Sequence, residues 1–184
     1  GTRDFTRRCE GLGADTSVSH GPMGYSCRMS ITIKDAEGIA GMRKACRLAQ
    51  KYGNTHIRAF ADTDTKAKLE GVKALIKARE EFKGIVDLQV VAFPQDGVVR
   101  DPGAEDYIRK AMELGADVVG GIPWIEYTDA DMQEHIDRMF ALAKEFNKDV
   151  SMLIDDAGDP GLRSLEMLAV KTLTEGWQGR VTAQ

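Results

Sequence analysis

The sequence predicts an α/β fold in which a strand and a helix alternate along the chain. Short apolar segments recur about every 31 residues. They contain few polar residues, which is typical of strands buried on both faces of a parallel sheet. Amphipathic segments of helical period lie between them, and several end at a glycine, the residue that most often closes a helix. Together these observations indicate a parallel sheet with helices packed on it.

Each predicted element has its own pattern in the sequence. The strands are residues 56–61, 87–93, 117–121, 150–154 and a last one that opens at Arg180. The helices are residues 35–52, 65–82, 103–114, 129–146 and 160–175. Four helices are followed by a glycine that can adopt the left-handed closing conformation, namely Gly53, Gly84, Gly115 and Gly176.

The helix predicted at 129–146 has the clearest amphipathic pattern. Asp129 is predicted as its N-cap, because a short side-chain oxygen there can accept a hydrogen bond from a free backbone N–H. His135 flanks the apolar stripe and is predicted to lie on the surface. The stripe consists of Met132, Ile136, Met139, Phe140 and Ala143.

Two architectures fit this alternation, an open doubly wound sheet and a (β/α)8 barrel. The open sheet often binds nucleotides through a glycine-rich loop, but the sequence has neither G-x-G-x-x-G after a first strand nor G-x-x-x-x-G-K-[ST]. A complete barrel needs about 250 residues, and this chain has 184. We therefore predict a partial TIM-type barrel that comprises about strands 2 to 6 with the intervening helices.

The first 33 residues differ from the rest of the chain. They are predicted to form an irregular loop region, whereas residues 34–184 are predicted to form the central part of the barrel domain. Four glycines and a proline interrupt any period in the first region, namely Gly11, Gly13, Gly21, Pro22 and Gly24.

The composition argues against several classes of function. Lys and Arg number 25 against 29 Asp and Glu, a net charge of −4, so nucleic acid is not expected as a partner. The apolar runs are far shorter than the roughly 18 residues of a membrane helix. The odd number of cysteines, Cys9, Cys27 and Cys46, favours a reducing cytoplasm over a disulfide framework.

Polar side chains follow the predicted strands at their carboxyl ends, the edge where parallel α/β folds carry their chemistry. Gln95 is a neutral donor and acceptor that suits the edge of a heterocycle, and Trp124 can wall a pocket for a flat ligand. Asp155 and Asp156 are adjacent carboxylates that repel each other. Such repulsion can raise one pKa into the range of a general acid or base.

These residues also have structural explanations, and both alternatives stay open at the level of sequence. Asp62 and Asp64 can cap the helix that follows them. Gln95 can be a turn residue, Trp124 can be ordinary packing, and Asp155 with its neighbour can cap a helix.

Histidine offers little for catalysis in this sequence. His56 lies at the amino end of its strand, where conserved barrel residues serve stability, and His20 lies in the irregular region. No two of the three histidines are spaced as metal ligands usually are.

Four segments occur in an order and at a spacing that identify a family. They are HIRAFAD at 56–62, VVAFPQDG at 90–97, GADVVGGIP at 115–123 and GRVTA at 179–183. They resemble blocks of the amidohydrolase superfamily, in its group of cytosine deaminases and N-isopropylammelide isopropylamidohydrolases.

The resemblance implies a (β/α)8 barrel that hydrolyses a C–N bond of a pyrimidine- or triazine-like heterocycle. In this family a divalent metal, zinc or iron, activates the attacking water. The resemblance further implies that Gln95 binds the ring and that Phe93 and Trp124 lie near the pocket wall. Asp156 matches the acid that shuttles protons, and Asp155 beside it is the second catalytic candidate.

The metal ligands of the family have no counterparts in this sequence. The histidine of the family's fifth strand aligns with Leu153, and a histidine of its second strand aligns with Phe60. The other ligands fall outside the 184 residues. The resemblance therefore predicts no metal ligand in this chain.

We predict part of a cytoplasmic amidohydrolase that acts on a small heterocyclic substrate. One alternative hypothesis is a catalytically inactive partial barrel or binding module, and another is an open doubly wound binding protein. Because sheet edges pair readily with other chains, the expected partners include copies of this chain in a homo-oligomer or a second segment that completes the barrel. No membrane or nucleic-acid partner is expected.

Overall fold

The structure is a computed structural model that describes residues 36–184, with side chains from residue 39 onward. The irregular region predicted at 1–33 lies outside the described residues, and so do His20, Cys9 and Cys27. In the described part, no helix is both long and apolar enough to cross a membrane.

Helices and strands alternate throughout the described residues. In chain order they are α1 (Ala36–Lys51), β1 (His56–Asp62), α2 (Glu70–Glu81), β2 (Asp87–Phe93), α3 (Ala104–Glu113), β3 (Val118–Gly121), a 3-10 helix (Pro123–Ile125), α4 (Asp129–Glu145), β4 (Asp149–Met152), α5 (Ser164–Thr174) and β5 (Val181–Ala183). The glycines predicted to close helices all have left-handed backbones, with φ of +80° at Gly53 and Gly84, +104° at Gly115 and +65° at Gly176.

The described strands form one parallel sheet in the order β1-β2-β3-β4-β5. Each strand therefore lies beside the one before it, as successive strands do around a barrel wall. A doubly wound sheet instead reverses its strand order at the point where it binds ligands. The predicted partial α/β barrel is confirmed.

The two faces of the sheet differ in polarity. Side chains such as Val90, Val119 and Met152 pack with the helices into one apolar core. The side chains that alternate with them point to the opposite face, where Arg58 Nε donates to Gln89 Oε1 at 2.6 Å. The helices thus cover one face of the sheet. The opposite face, which would point into a barrel, carries polar side chains near the amino ends of the strands.

Two helix starts and one helix cap differ from the predictions. Helix α2 begins at Glu70 rather than 65, because the Asp64 carboxylate accepts from the Lys66 and Ala67 amides at 2.8 and 2.6 Å and holds a turn there. Helix α4 is capped by Thr128, whose hydroxyl accepts from the Asp131 amide at 3.2 Å, so the prediction of Asp129 as N-cap is wrong. Helix α5 begins at residue 164 rather than 160.

Candidate active site

The predicted site residues come from three neighbouring strands and lie at one edge of the sheet. Gln95 follows β2, Trp124 lies in the 3-10 helix after β3, and Asp155 and Asp156 follow β4. Because β2, β3 and β4 are adjacent and parallel, their carboxyl ends meet at the same edge. The topology therefore brings these side chains to a common rim.

Gln95 lies in a turn that leaves its side chain half-buried. The turn is closed by the Gly97 amide, which donates to the Pro94 carbonyl at 2.9 Å. Within residues 36–184, the Gln95 amide group has no hydrogen-bond partner. The prediction that Gln95 lies in a turn is thus confirmed for its backbone. Its side-chain amide has no partner among these residues, so its N–H donor and carbonyl acceptor are unused there.

Phe93 is the last residue of β2, two positions before Gln95. It is 2% exposed, and its ring meets that of Phe60 edge to face, with centroids 5.1 Å apart and an interplanar angle of 87°. Such pairs contribute stability beyond the area they bury. That Phe93 lies near a pocket wall stays a prediction.

Trp124 is half-buried at the start of the loop that follows β3. Its indole nitrogen is buried and has no acceptor among the described residues. A buried indole N–H usually finds a hydrogen-bond partner, since leaving it unpaired costs free energy. The role of Trp124 as a pocket wall stays a prediction.

The two adjacent carboxylates after β4 have different surroundings. Asp155 has a left-handed backbone, with φ of +53°, and its carboxylate accepts from the Ser164 and Leu165 amides at 3.2 and 3.3 Å and from the Ser164 hydroxyl. It therefore caps helix α5 from nine residues away. Asp156 is exposed and has no hydrogen-bond partner within the described residues, so its carboxylate remains available to solvent or substrate.

Glu126 and His135, which the sequence did not indicate as a pair, form a buried hydrogen-bonded carboxylate–imidazole pair next to the 3-10 helix. The Glu126 carboxylate accepts from the backbone amides of Val98, Val99 and Arg100 at 2.7, 3.2 and 3.0 Å. It also accepts from His135 Nδ1 at 2.7 Å, and both side chains are 0% exposed. Burial opposes the charged carboxylate, but the hydrogen bonds from His135 and the amides outweigh it and lower the pKa of Glu126.

The prediction that His135 lies on the surface is wrong, because helix α4 packs against both β3 and the 3-10 helix and covers the flank of its apolar stripe. His135 Nε2 accepts from the Ile122 amide at 3.1 Å. Burial lowers the pKa of His135, with Glu126 acting in the opposite direction. Helical spacing was the available signal, since position 135 lies three residues after Met132 and four before Met139.

Gly97 packs directly against the Glu126 carboxylate, which makes it the sharpest test of this packing. A Cβ at Gly97 would lie 2.7 Å from Glu126 Oε1, and the backbone φ is +89°. Gly53 is a matched control, with φ of +80° and nothing within 4 Å. We expect Gly53→Ala to cost about 1–2 kcal/mol of unfolding free energy from the backbone alone, and Gly97→Ala at least about 1 kcal/mol more.

Urea unfolding of both variants measures the difference as a shift in midpoint at constant slope. Equal losses in the two variants would contradict the contact between Gly97 and Glu126.

Comparison with known proteins identifies the group. No protein-family model matches the chain. N-isopropylammelide isopropyl amidohydrolase from Pseudomonas sp. strain ADP is 39% identical over 131 residues, which are 71% of this chain and 32% of the relative. The structure of 5-methylcytosine deaminase from Klebsiella pneumoniae with 5-fluorocytosine matches 84% of this chain and 37% of that chain, with a TM-score of 0.77 and 33% identity. The chain belongs to the amidohydrolase group.

A second solved relative supports the same assignment. N-isopropylammelide isopropylaminohydrolase from Burkholderia multivorans gives a TM-score of 0.66 and 31% identity, over 79% of this chain and 36% of that chain. This chain thus spans about a third of the length of the relatives that it matches. The family resemblance seen in the sequence is confirmed.

The described residues of this amidohydrolase chain do not fit the metal that the family implies. No three His, Cys, Asp or Glu side chains between residues 36 and 184 come together as a metal-binding group. Leu153, at the carboxyl end of β4, has an aliphatic side chain that cannot coordinate a cation. These residues by themselves do not form a ligand set.

A cavity of about 710 Å³ lies at the opposite edge of the sheet, near the amino ends of β1 and β2. His56 and Asp87 contribute to its lining, together with an ion pair in which Arg79 Nη1 lies 2.7 Å from Asp117 Oδ2. None of the predicted site residues lines this cavity. The amino-terminal edge of a barrel serves stability, so we place the candidate site at the carboxyl edge instead.

Proposed function

We propose that the protein containing this chain hydrolyses a C–N bond of a pyrimidine- or triazine-like heterocycle. The observation that carries the proposal is the half-buried Gln95 amide, which has no partner in the described residues and follows the strand next to that of Trp124. A neutral donor and acceptor beside an aromatic wall suits the edge and face of a flat heterocycle. The names of the relatives support this substrate class.

In this proposal each rim residue has one task. Gln95 orients the ring through hydrogen bonds to its edge, Trp124 walls the pocket, and Phe93 supports the turn from below. Asp156 takes a proton from the attacking water and delivers it to the leaving nitrogen. Asp155 holds helix α5 and thereby the direction of the loop that carries Asp156.

The zinc or iron of the family would activate the attacking water. We assign no step of the reaction to it, because the described residues do not fit its ligand set.

The second candidate function is a binding module without hydrolysis. Leu153 favours it, because a leucine stands where the resemblance places a metal-binding histidine. The two candidates differ in turnover but not in recognition of the heterocycle. Product formation therefore separates them.

We further propose that other strand–helix units complete the barrel, supplied by a second segment or by another copy of the chain in the cytoplasm. Helix α5 supports this, because Leu165, Val170 and Leu173 on it are 52%, 54% and 65% exposed. In a barrel, each helix packs against the next one around the ring. A further helix beside α5 would bury this apolar surface.

Heterocycle binding tests the proposed function. We expect 5-fluorocytosine or N-isopropylammelide to bind the protein that contains this chain, and Gln95→Leu to weaken binding about 10- to 100-fold, because the ring's polar edge then loses its partner. Isothermal titration calorimetry measures both dissociation constants. Gln133→Leu is the control, since Gln133 lies on α4 and donates to Asp137 at 3.1 Å.

The control variant should bind like the unmodified chain. Failure of both heterocycles to bind, or equal affinity after Gln95→Leu, would sink the proposed substrate class.

A further inference from the structure

Two loops of the rim are joined beneath the surface by a single carboxylate. Glu126 comes directly after the 3-10 helix that contains Trp124, and its side chain turns back towards β2. There it accepts the amides of Val98, Val99 and Arg100, which follow the turn that contains Gln95. The carboxylate thus links the two loops that carry the proposed ring-binding amide and the proposed aromatic wall.

His135 holds this carboxylate in place from helix α4. Its Nε2 accepts the Ile122 amide at 3.1 Å, so the proton must reside on Nδ1, which donates to Glu126 Oε1 at 2.7 Å. The neutral imidazole therefore bridges the start of the β3 loop and the carboxylate at its end. A fully buried ring with both nitrogens engaged has little freedom to reorient.

The same two loops are also joined on the outer surface. Arg100 Nη1 donates to the Ile125 carbonyl, and its guanidinium lies 5.0 Å from the centroid of the Tyr127 ring. The net contribution of such buried hydrogen bonds to stability is modest, about 0.5–3 kcal/mol each, so an apolar core could stabilise this region as well. The pair also constrains the geometry, because the four hydrogen bonds to the Glu126 carboxylate form together only when the two loops hold the positions seen here.

We propose that Glu126 and His135 are positioning residues, which fix the loop of Gln95 relative to the loop of Trp124. The inference rests on the proposed function, because it assigns these loops to heterocycle binding. In this arrangement His135 orients the Glu126 carboxylate, and the carboxylate orients the backbone amides of residues 98–100. These amides fix the position of the turn that contains Gln95.

Two substitutions of His135 separate positioning from packing. In His135→Asn the side-chain amide can still donate to Glu126, because its nitrogen lies near the place of Nδ1. His135→Leu fills a similar volume without a donor. We expect amide hydrogen exchange at Val98, Val99 and Arg100 to be at least tenfold faster in the leucine variant than in the asparagine variant. 5-Fluorocytosine or N-isopropylammelide should bind about tenfold more weakly to the leucine variant.

Circular dichroism first establishes a temperature at which both variants are folded. Equal exchange rates at the three amides in the two variants would overturn the positioning role. A failure of the unmodified protein that contains this chain to bind either heterocycle, with the exchange difference intact, would overturn the proposed function and leave the link between the loops standing.

Discussion

Replacing Asp156 by asparagine is expected to lower kcat by about 10²–10⁴ in the protein that contains this chain, with little change in KM. Asparagine keeps the shape of the side chain but can no longer accept a proton at the pH of the reaction. The Asp156 carboxylate is exposed at the rim and has no partner among residues 36–184, so its proposed role does not compete with a structural one. Steady-state kinetics with N-isopropylammelide or 5-fluorocytosine measures both constants.

A matched control lies three residues further along the same loop. Asp159 is also exposed, and its carboxylate accepts the Gly161 amide at 2.8 Å within a local turn. Asp159→Asn should leave kcat within about twofold, whereas a general acid or base contributes at least about 10². A loss below tenfold in Asp156→Asn would show that another group moves the proton.

Replacing Glu126 by alanine is expected to cost at least about 3 kcal/mol of unfolding free energy, because four hydrogen-bond donors lose their acceptor and a buried donor left unsatisfied costs about 1–3 kcal/mol. The substitution leaves the Val98, Val99 and Arg100 amides and the His135 imidazole without their acceptor. Urea unfolding at neutral pH measures the loss. Glu134→Ala is the control, because Glu134 pairs with Arg138 at the surface of helix α4 and should contribute less than about 0.5 kcal/mol.

The pair of Glu126 and His135 makes the free energy of unfolding depend on pH in the acidic range. Folding lowers the pKa of His135 from its ordinary 6.5 and that of Glu126 from 4.5, so the unfolded chain binds more protons in both ranges. Both contributions are therefore present above the unfolded pKa values and are lost as the pH falls below them. Arg138 also faces His135 and favours the neutral ring. We expect unfolding free energy to begin to fall below about pH 6.5.

His135→Asn should lose the first part of this acid response and keep the part below pH 4.5 that belongs to Glu126. Glu126→Ala with a loss no larger than that of Glu134→Ala would contradict the structural importance of the buried carboxylate.

Local patterns in the sequence were sufficient for the architecture of the described part. The apolar character of segments such as 87–93 follows from burial on both faces of a parallel sheet, and the helix ends follow from glycines that adopt positive φ. The starts of helices were less predictable where a side-chain oxygen, rather than a backbone carbonyl, accepts the hydrogen bonds of the first backbone amides. Thr128 rather than Asp129 caps α4, and Asp64 and Asp101 hold the turn before α2 through bonds to the amides of residues 65–67.

The sequence by itself determined the strand–helix order, the family and the edge of the sheet to which Gln95, Trp124 and Asp156 belong, because these depend on local periodicity and on contiguous motifs. Only the tertiary structure decided that Asp155 caps α5 while Asp156 stays exposed, and that Glu126 and His135 form a buried pair. Those outcomes depend on contacts between residues that lie 9 to 28 positions apart in sequence. A side chain's partner across such a distance is set by how the helices and strands pack.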